Sequence, residues 1–288
     1  MRKVAILTTD KLEDFFVYDR MLEAPLRKLG WESIEVSWHA KNHNWDQYDV
    51  VVVRSTWDYQ AHCDDFLGCL QTIENSSAQL CNSLSLIKWN ISKRYLKELE
   101  DKGVPIIPTL WLDTLQEQHF AAAFEQFACD EIVIKPYISA NADFTYRLTP
   151  ASVTENLSAL KRDFKDRSAM LQPFLTSIVE EGEYSLFYFD SQYSHAICKQ
   201  PAKGDFRVQE EHGGQLTSIE PSAEMFALGE QTINALPEEA LYARVDIVSL
   251  NGVLMIIEVE LIEPSLYFNM DDSSADFFAK VFAEKFAC

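Results

Sequence analysis

Charged side chains alternate with apolar ones over residues 242–265, YARVDIVSLNGVLMIIEVELIEPS. Successive side chains of a strand point to opposite faces, so residues two apart share a face. Arg244 and Asp246 therefore share one face of a first strand, and Glu258 and Glu260 share one face of a second. If the two faces coincide, three carboxylates and one guanidinium meet on a single surface.

A hairpin is predicted between these strands, because Asn251-Gly252 is a strong turn signal. A strict two-residue turn would put the acidic residues of the two strands on opposite faces. We therefore predict an odd loop of three residues that begins at Leu250, with Ser249 opposite Val253. In this register the buried face carries Val245, Ile247, Ile257, Val259 and Leu261, while Ile256 and Ile262 lie beside the charges.

Carboxylates gathered on one face repel one another, so they require a compensating cation. Mg²⁺ prefers oxygen ligands and commonly binds one or two carboxylates together with nucleotide phosphates. The hairpin therefore indicates a metal site formed by Asp246, Glu258 and Glu260. A solvated polar face with a single Arg–Glu pair is the alternative, and the hairpin by itself leaves both open.

Composition limits the classes of function. The chain has 288 residues, 47% of them hydrophobic, which is typical of a globular protein with a large core. No apolar run approaches the roughly 20 residues that a membrane helix needs, and charged residues follow the first apolar run too soon for a signal peptide. The six cysteines lack metal-binding spacing and are expected to be reduced, so we expect a cytoplasmic protein.

The net charge of −20 argues against nucleic acid as a partner, because an acidic surface repels phosphate backbones. It also means that a nucleotide-binding site would need a concentrated patch of positive charge. Only 25 Lys and Arg residues are available for such a patch.

The order of predicted elements indicates an α/β fold. A strand over 4–7, an amphipathic helix over 14–29 and a doubly buried strand over 49–53 form an open α/β start, without the GxGxxG of dinucleotide-binding folds. After Gly103 and two prolines, strands and helices alternate in smaller α+β units. We predict an N-terminal open α/β lobe followed by two α+β lobes.

The order of motifs resembles the ATP-grasp carboxylate–amine ligases, a family that includes D-alanine–D-alanine ligase and glutathione synthetase. Within it the chain looks most like the cyclo-ligase of D-cycloserine biosynthesis and its relatives. The motifs that carry the resemblance are VVVRSTWDY, LIKWNISKRYL, VIKP, LQPF, GEYSLFYF, YSHAICKQPAKGDFRVQ, YARVD and EVELIEPSL. It implies a substrate lobe over 1–88, a lid lobe over 89–172 and a C-terminal lobe with the metal site over 173–288.

The resemblance implies that two lobes grip ATP. Lys135 matches a lysine that reaches the α- and β-phosphates. Lys93 matches a second phosphate lysine, with Arg94 and Lys97 as rivals on the same helix. At the hinge between lobes, the Gln172 carbonyl and the Phe174 amide are expected to bind adenine.

Ribose usually meets a carboxylate after the hinge, and Glu180, Glu181 and Glu183 are the candidates, with Glu183 also in a GE-x-S motif. Arg244 and Arg207 match basic residues that steady the transferred phosphoryl group, with Lys199 in support. Asp246, Glu258 and Glu260 match the metal ligands. Glu260 stands where most of these ligases carry Asn, and it fits the cyclo-ligase branch better.

The lid loop departs from the family pattern. Residues 139–143 are Ser-Ala-Asn-Ala-Asp, with no glycine and with an added acid. Small side chains still allow backbone amides to approach phosphates, whereas Asp143 would repel them unless it points away. The departure of this loop from the family pattern argues against catalytic turnover more than against nucleotide binding.

Residues 54–59, RSTWDY, follow a predicted parallel strand, and ligands of open α/β sheets gather beyond the carboxyl ends of strands. Arg54 suits a substrate carboxylate, Asp58 a substrate amine, and Trp57 or Tyr59 a wall. Arg54 and Asp58 are also four apart and could simply pair with each other.

The resemblance implies a ligase that forms a C–N bond through an acyl phosphate and releases ADP and phosphate. The cofactors are ATP and one or two Mg²⁺ ions, with Mn²⁺ as an acceptable substitute, and the partner is a small amino-acid-like substrate. Whether ligation is intramolecular, and whether the chain forms a homodimer, stay open. Two alternatives are an ATP-binding regulatory or partner protein that has lost catalysis and a kinase-like phosphotransferase.

Overall fold

The computed structural model describes residues 1–13, 15–139 and 143–287. These residues form three sheets, and each sheet belongs to a different part of the chain. The first is a parallel sheet with the strand order β2-β1-β3-β4. Its strands are β1 Arg2–Thr8, β2 Trp31–Ser37, β3 Val50–Ser55 and β4 Gln79–Cys81.

The apolar run of β3 is buried on both faces, as predicted, because its sheet is covered on both sides. The helices of this region are α1 Glu23–Lys28, α2 Cys63–Glu74 and α3 Leu84–Asn90. The prediction of a helix over 14–29 was wrong at its start, since a short 3₁₀ turn at Asp19–Leu22 precedes α1. Pro25 explains the difference, because it lacks an N–H and is tolerated only in the first turn of a helix.

The second sheet is antiparallel, with the order β5-β8-β6-β7. Its strands are β5 Leu110–Leu112, β6 Ile132–Pro136, β7 Tyr146–Leu148 and β8 Ala169–Pro173. Helix α4 Tyr95–Asp101 precedes the sheet, and α5 Gln118–Phe127 and α6 Pro150–Asp163 pack on one face of it. Ile132 and Ile134 point toward these helices, so period two directs Val133 and Lys135 to the opposite face.

The third sheet is antiparallel, with the order β11-β10-β9-β12-β13. Its strands are β9 Glu183–Phe189, β10 Gln192–Gln200, β11 Gln215–Ser218, β12 Tyr242–Leu250 and β13 Val253–Glu260. The helices of this part are α7 Thr176–Glu180, α8 Ala223–Asn234 and α9 Ser274–Lys285. One core cluster joins α9 to the first sheet, with Phe282 packed edge-on against Trp31 at 4.8 Å between ring centroids.

The hairpin β12–β13 differs from the predicted one. Leu250 pairs with Val253, so the turn has two residues, Asn251 and Gly252, both at positive φ. The register then shifts between Asp246 and Ile247, and Ile257 is the additional residue of a β-bulge. The predicted three-residue loop was wrong, and the bulge supplies the odd residue instead.

The bulge also exchanges two isoleucines. Ile256 is fully buried in the core with Val245 and Val259, where the sequence prediction had put Ile257. Ile257 instead lines a cleft on the other side of the sheet. Periodicity alone could not reveal this exchange, because a bulge breaks the alternation within a single strand.

Candidate active site

The three sheets meet around one cleft of about 240 Å³. Apart from the rival candidates for the second phosphate lysine and for the ribose carboxylate, all the residues given a site role from the sequence line it except Arg54 and Asp58. The lining residues come from β6, the end of β8, β9, β10, β12, β13 and the segments after β3, α3 and β10. The lining candidates are Trp57, Tyr59, Lys93, Lys135, Gln172, Phe174, Glu183, Lys199, Arg207, Arg244, Asp246, Glu258 and Glu260.

The carboxylates of the hairpin lie on one face, as predicted. Asp246 pairs with Glu258 across the two strands, and Arg244 pairs with Glu260. Because the register shift lies beyond these pairs, all four side chains point to the same side of the sheet.

Basic side chains neutralise this face. The Arg244 guanidinium donates to both oxygens of Asp246, from Nη2 to Oδ2 at 2.9 Å, and also to Glu260. Lys199 on β10 lies 3.3 Å from Asp246 Oδ1 and also pairs with Glu183. Two cationic partners thus serve Asp246, whereas Glu260 has a share of only one.

The pKa values follow this distribution of charge. Desolvation would raise the pKa of Asp246, but Arg244 and Lys199 outweigh it and lower the pKa to about 2. Desolvation raises the pKa of Glu260 to about 7, since Arg244 only partly offsets it and the other carboxylates add to it. Neighbouring acids on one strand pair therefore differ in charge at neutral pH.

The carboxylates of the hairpin supply oxygen atoms, which are the ligands that Mg²⁺ prefers. Among residues 1–13, 15–139 and 143–287, however, no three His, Cys, Asp or Glu side chains converge closely enough to hold a metal ion. Each carboxylate of the hairpin instead faces a Lys or Arg side chain. The donor chemistry fits a hard divalent cation, and the present geometry fits internal ion pairs.

Despite desolvation, the positive charges of Lys93 and Lys135 both act on Glu258 and lower the pKa of its carboxyl. Lys93 Nζ donates to Glu258 Oε1 at 2.5 Å and to the Ser139 carbonyl at 3.1 Å. Lys135 has no hydrogen-bond or ion-pair partner in the part of the chain that the structure describes. Burial, with Lys93 nearby, lowers the pKa of Lys135 to about 8.

The rivals of Lys93 point elsewhere. Arg94 donates to Asp113 Oδ1 at 3.0 Å, and Lys97 is exposed on α4, where it pairs with Glu100 and Asp101. Of the three candidates for the second phosphate lysine, only Lys93 lines the cleft.

The hinge follows β8. Gln172 lines the cleft, and its side-chain amide donates from Nε2 to Thr109 Oγ1 at 2.9 Å. The Phe174 amide already donates to the Glu131 carbonyl at 2.9 Å, so the prediction that it binds adenine is corrected. Its ring instead forms a wall of the cleft, with the Arg147 guanidinium 3.6 Å from its centroid.

The three carboxylates proposed for ribose differ in whether they line the cleft. Glu180 and Glu181 are exposed and do not line the cleft. Glu183 lines it and pairs with Lys199. Desolvation raises the pKa of Glu183 despite that partner.

Arg207 lies at the rim of the cleft in the segment between β10 and β11. Its guanidinium forms a bidentate pair with Asp205, with Nη2 2.7 Å from Oδ2. Of the lid loop, Ala140, Asn141 and Ala142 lie outside the described residues. Asp143 is exposed.

Arg54 and Asp58 do not line the cleft, contrary to the substrate roles predicted for them. Arg54 is 1% exposed, and its Nε donates to Asp19 Oδ1 at 2.8 Å. Asp58 accepts from Thr9, from Trp38 Nε1 at 2.7 Å, and lies 2.6 Å from His39 Nε2. The two residues do not pair with each other; each ties the first sheet to its surroundings.

Comparison with known proteins identifies the fold. Residues 4–82 match a family described as the N-terminal domain of D-cycloserine synthetase DcsG. The cycloserine biosynthesis protein DcsG of Streptomyces lavendulae is 28% identical over 301 residues, covering 98% of each chain. The crystal structure of D-cycloserine synthetase DcsG aligns with a TM-score of 0.85 at 26% identity, over 98% of this chain and 99% of that one. The chain is an ATP-grasp ligase.

More distant structures share its fold. A D-alanine–D-alanine ligase from Bacillus anthracis complexed with ATP aligns with a TM-score of 0.66 at 14% identity, over 98% of this chain and 95% of that one. The sequence prediction of an ATP-grasp fold and of a ligase is confirmed. No helix in the described ranges is long and apolar enough to cross a membrane.

Sequence reasoning missed the residues that hold β13 of this ATP-grasp ligase in place. The Tyr95 hydroxyl accepts from the Val259 amide at 2.8 Å, and Asn90 accepts from the Leu261 amide at 3.0 Å. Main-chain bonds to the segment 105–107 also hold the strand at Ile256. These bonds fix the edge strand that carries Glu258 and Glu260, and no motif signalled them.

Glu263 is a further acidic residue of the cleft that the sequence analysis did not assign. It follows β13 by three residues and lines the cleft beside Trp57 and Tyr59. Desolvation, then the negative charges of Glu260 and Glu258, raise the pKa of Glu263 to about 8.

Proposed function

We propose that this ATP-grasp ligase uses Mg-ATP to activate the carboxylate of a small amino-acid-like substrate as an acyl phosphate. A nitrogen nucleophile then attacks the acyl carbon, a C–N bond forms and phosphate leaves, with ADP as the other product. The observation that carries the proposal is the cleft itself, where acidic side chains of one hairpin face are interleaved with Lys93, Lys199 and Arg244.

Lys135 and Lys93 are the proposed phosphate ligands. Lys135 supports this role because its ammonium lies in the cleft with no partner within the described residues, and an unpaired charge that is partly desolvated is costly. A phosphate would give Lys135 the counter-charge it lacks, and Lys93, now paired with Glu258, lies beside it to contact the same phosphates. Arg244, with a planar guanidinium suited to bidentate contact, is proposed to hold the transferred phosphoryl group, with Arg207 at the rim.

Asp246, Glu258 and Glu260 are the proposed ligands of Mg²⁺. When bound, the ion would supply positive charge to the phosphate oxygens during transfer. The Lys and Arg partners of these carboxylates would then be free to contact phosphate. Glu260 fits this exchange best, because the pKa of its carboxyl is raised to about 7 and a nearby cation would favour its charged form.

The nucleoside end of the cleft is proposed to lie at the hinge. The Phe174 ring supplies an aromatic wall, and Glu183 is the carboxylate available to ribose. Leu175 lines the cleft, and its amide has no acceptor among the hydrogen bonds of the described residues. We propose the Leu175 amide, rather than that of Phe174, as the donor to the adenine ring.

The decisive experiment is a phosphate-release screen with Mg-ATP against amino acids and dipeptides of both D and L configuration. We expect release that depends on one of these compounds, together with a product that contains a new C–N bond. ATP binding without any stimulated release would favour the regulatory alternative. A stable phosphorylated compound without C–N bond formation would favour a phosphotransferase.

Intramolecular and intermolecular ligation are separated by the same assay. A substrate that carries both the carboxylate and the nucleophile gives ADP without a second organic reactant. A requirement for a second reactant indicates ordinary ligation of two molecules.

A further inference from the structure

The segment after β13 is fixed against the carboxyl end of β3. Trp57 Nε1 donates to the Glu263 carbonyl at 2.9 Å, and Arg54 Nη2 donates to the Pro264 carbonyl at 2.5 Å. These bonds use the main chain of the segment, so the Glu263 side chain remains directed into the cleft. Glu263 thus lies where the first and third sheets meet.

Glu263 differs from the other acids of the cleft in its partners. Asp246, Glu258 and Glu260 each pair with a Lys or Arg side chain. Within the residues that the structure describes, Glu263 has no ion-pair partner, and its carboxylate has only neutral neighbours as donors, the Gln60 amide at 3.1 Å and the Tyr59 hydroxyl. A carboxylate in this position can still receive a cation.

The surroundings of Glu263 favour a positive group. The charges of Glu260 and Glu258 act on it, so this end of the cleft carries negative potential. Trp57 and Tyr59 flank it, and aromatic faces attract ammonium groups. Asp58 was expected to supply a carboxylate for a substrate amine, and Glu263 offers such a carboxylate within the cleft.

Building on the proposed function, we propose that the Glu263 carboxylate binds the ammonium group of the substrate. It makes the cleft selective for substrates with a free amine over N-acylated or amine-free acids. Trp57 and Tyr59 form the walls around that group. Glu263 acts here as a specificity-determining residue, whereas the proposed phosphate and metal ligands lie on the hairpin and on β6.

The test is ligand-observed saturation-transfer NMR on the full-length chain with Mg-ADP. The probes are the common amino acids in D and L form, each measured beside its N-acetyl derivative. The variants are Glu263→Gln, which keeps the size of the side chain, and Glu263→Asp, which keeps the charge. Glu220→Gln is the matched control, because it removes one negative charge from an exposed loop position.

We expect a free amino acid to bind the wild type, and N-acetylation to weaken it about tenfold or more, as for the loss of a charged hydrogen bond. Glu263→Gln should weaken the free amino acid by a similar factor and should nearly abolish the difference between the free and acetylated forms. Glu263→Asp should retain part of that difference, and Glu220→Gln should retain all of it. Unchanged Mg-ATP affinity in Glu263→Gln shows that the variant is folded.

Three results would overturn the proposal. One is binding of acetylated and free amino acids with equal affinity, and another is the absence of binding by any free amino acid. The third is a Glu263→Gln variant that needs more Mg²⁺ for ATP binding but keeps its amino-acid affinity, which would make Glu263 a metal ligand. Phosphate release driven equally by N-acetylated substrates would leave the ligase function standing while removing this role of Glu263.

Discussion

Asp246 and Glu258 lie directly opposite each other on β12 and β13, although the turn between the two strands has only two residues. Continuous pairing from that turn would place Asp246 opposite Ile257 and would turn Glu258 toward the core. The bulge at Ile257 prevents this outcome, since it advances one strand by one residue. The geometry of the acidic face therefore depends on a bulge next to the cleft.

The two acids that share Arg244 should contribute differently to stability. Asp246→Ala removes the buried carboxylate that Arg244 and Lys199 share, and breaking a buried pair costs about 3–5 kcal/mol. Glu260→Ala should cost less, because that side chain is 28% exposed and the pKa of about 7 leaves its carboxyl only partly charged at neutral pH. Chemical denaturation of the two variants measures the contrast. Equal losses would mean that the network does not discriminate between the two acids.

Much of this face could be read from the sequence. Alternation placed Arg244, Asp246, Glu258 and Glu260 together, and the motif order gave the fold. The position of the odd residue could not be read, because a bulge and a three-residue loop give the same outcome for the charges. The pairing of Leu250 with Val253 and the burial of Ile256 in place of Ile257 distinguish them.

Lys135 is expected to contribute to ATP affinity and not to the stability of the free protein. Lys135→Met should weaken ATP binding at least about tenfold, which corresponds to about 1.4 kcal/mol. The melting temperature of the free protein should hold or rise, because no described residue pairs with the Lys135 ammonium, which is partly desolvated in the cleft. Isothermal titration and a thermal melt measure the two effects, with the exposed Lys97→Met as the control. Equal ATP affinity in Lys135→Met and wild type would contradict the phosphate role.

The same lysine predicts a pH dependence of ATP binding. The pKa of about 8 in the free protein means that Lys135 is charged below pH 8 and neutral above it. Phosphate binding stabilises the charged form and raises this pKa, so affinity is full below pH 8 and falls as the pH rises beyond it. The Lys135→Met variant should lack this decline. Titrations between pH 7 and about pH 9.5 compare the two proteins, and parallel curves would exclude Lys135 as the titrating group.

The substrate end of the site was predicted less well than the phosphate end. Arg54 and Asp58 are of suitable types and follow a parallel strand, yet their partners are Asp19, His39 and Trp38. These partners come from distant parts of the chain, so spacing within 54–59 could not reveal them. Glu263 was overlooked for the converse reason: its proposed role depends on the absence of a charged partner among the described residues, which spacing in the sequence does not reveal.

The last prediction concerns Tyr95, which acts on the site through β13. Tyr95→Phe removes the acceptor of the buried Val259 amide, and an unsatisfied buried donor costs about 1–3 kcal/mol. The strand that carries Glu258 and Glu260 should also loosen locally, so amide exchange at Val259 should accelerate more than the global loss explains. Tyr188→Phe is the matched control, because the Tyr188 hydroxyl is buried without a hydrogen-bond partner in the described residues. Its removal should leave stability unchanged or slightly increased. Denaturation and hydrogen exchange of both variants test this, and equal stability of the two would mean that the Tyr95 bond does not hold the edge strand.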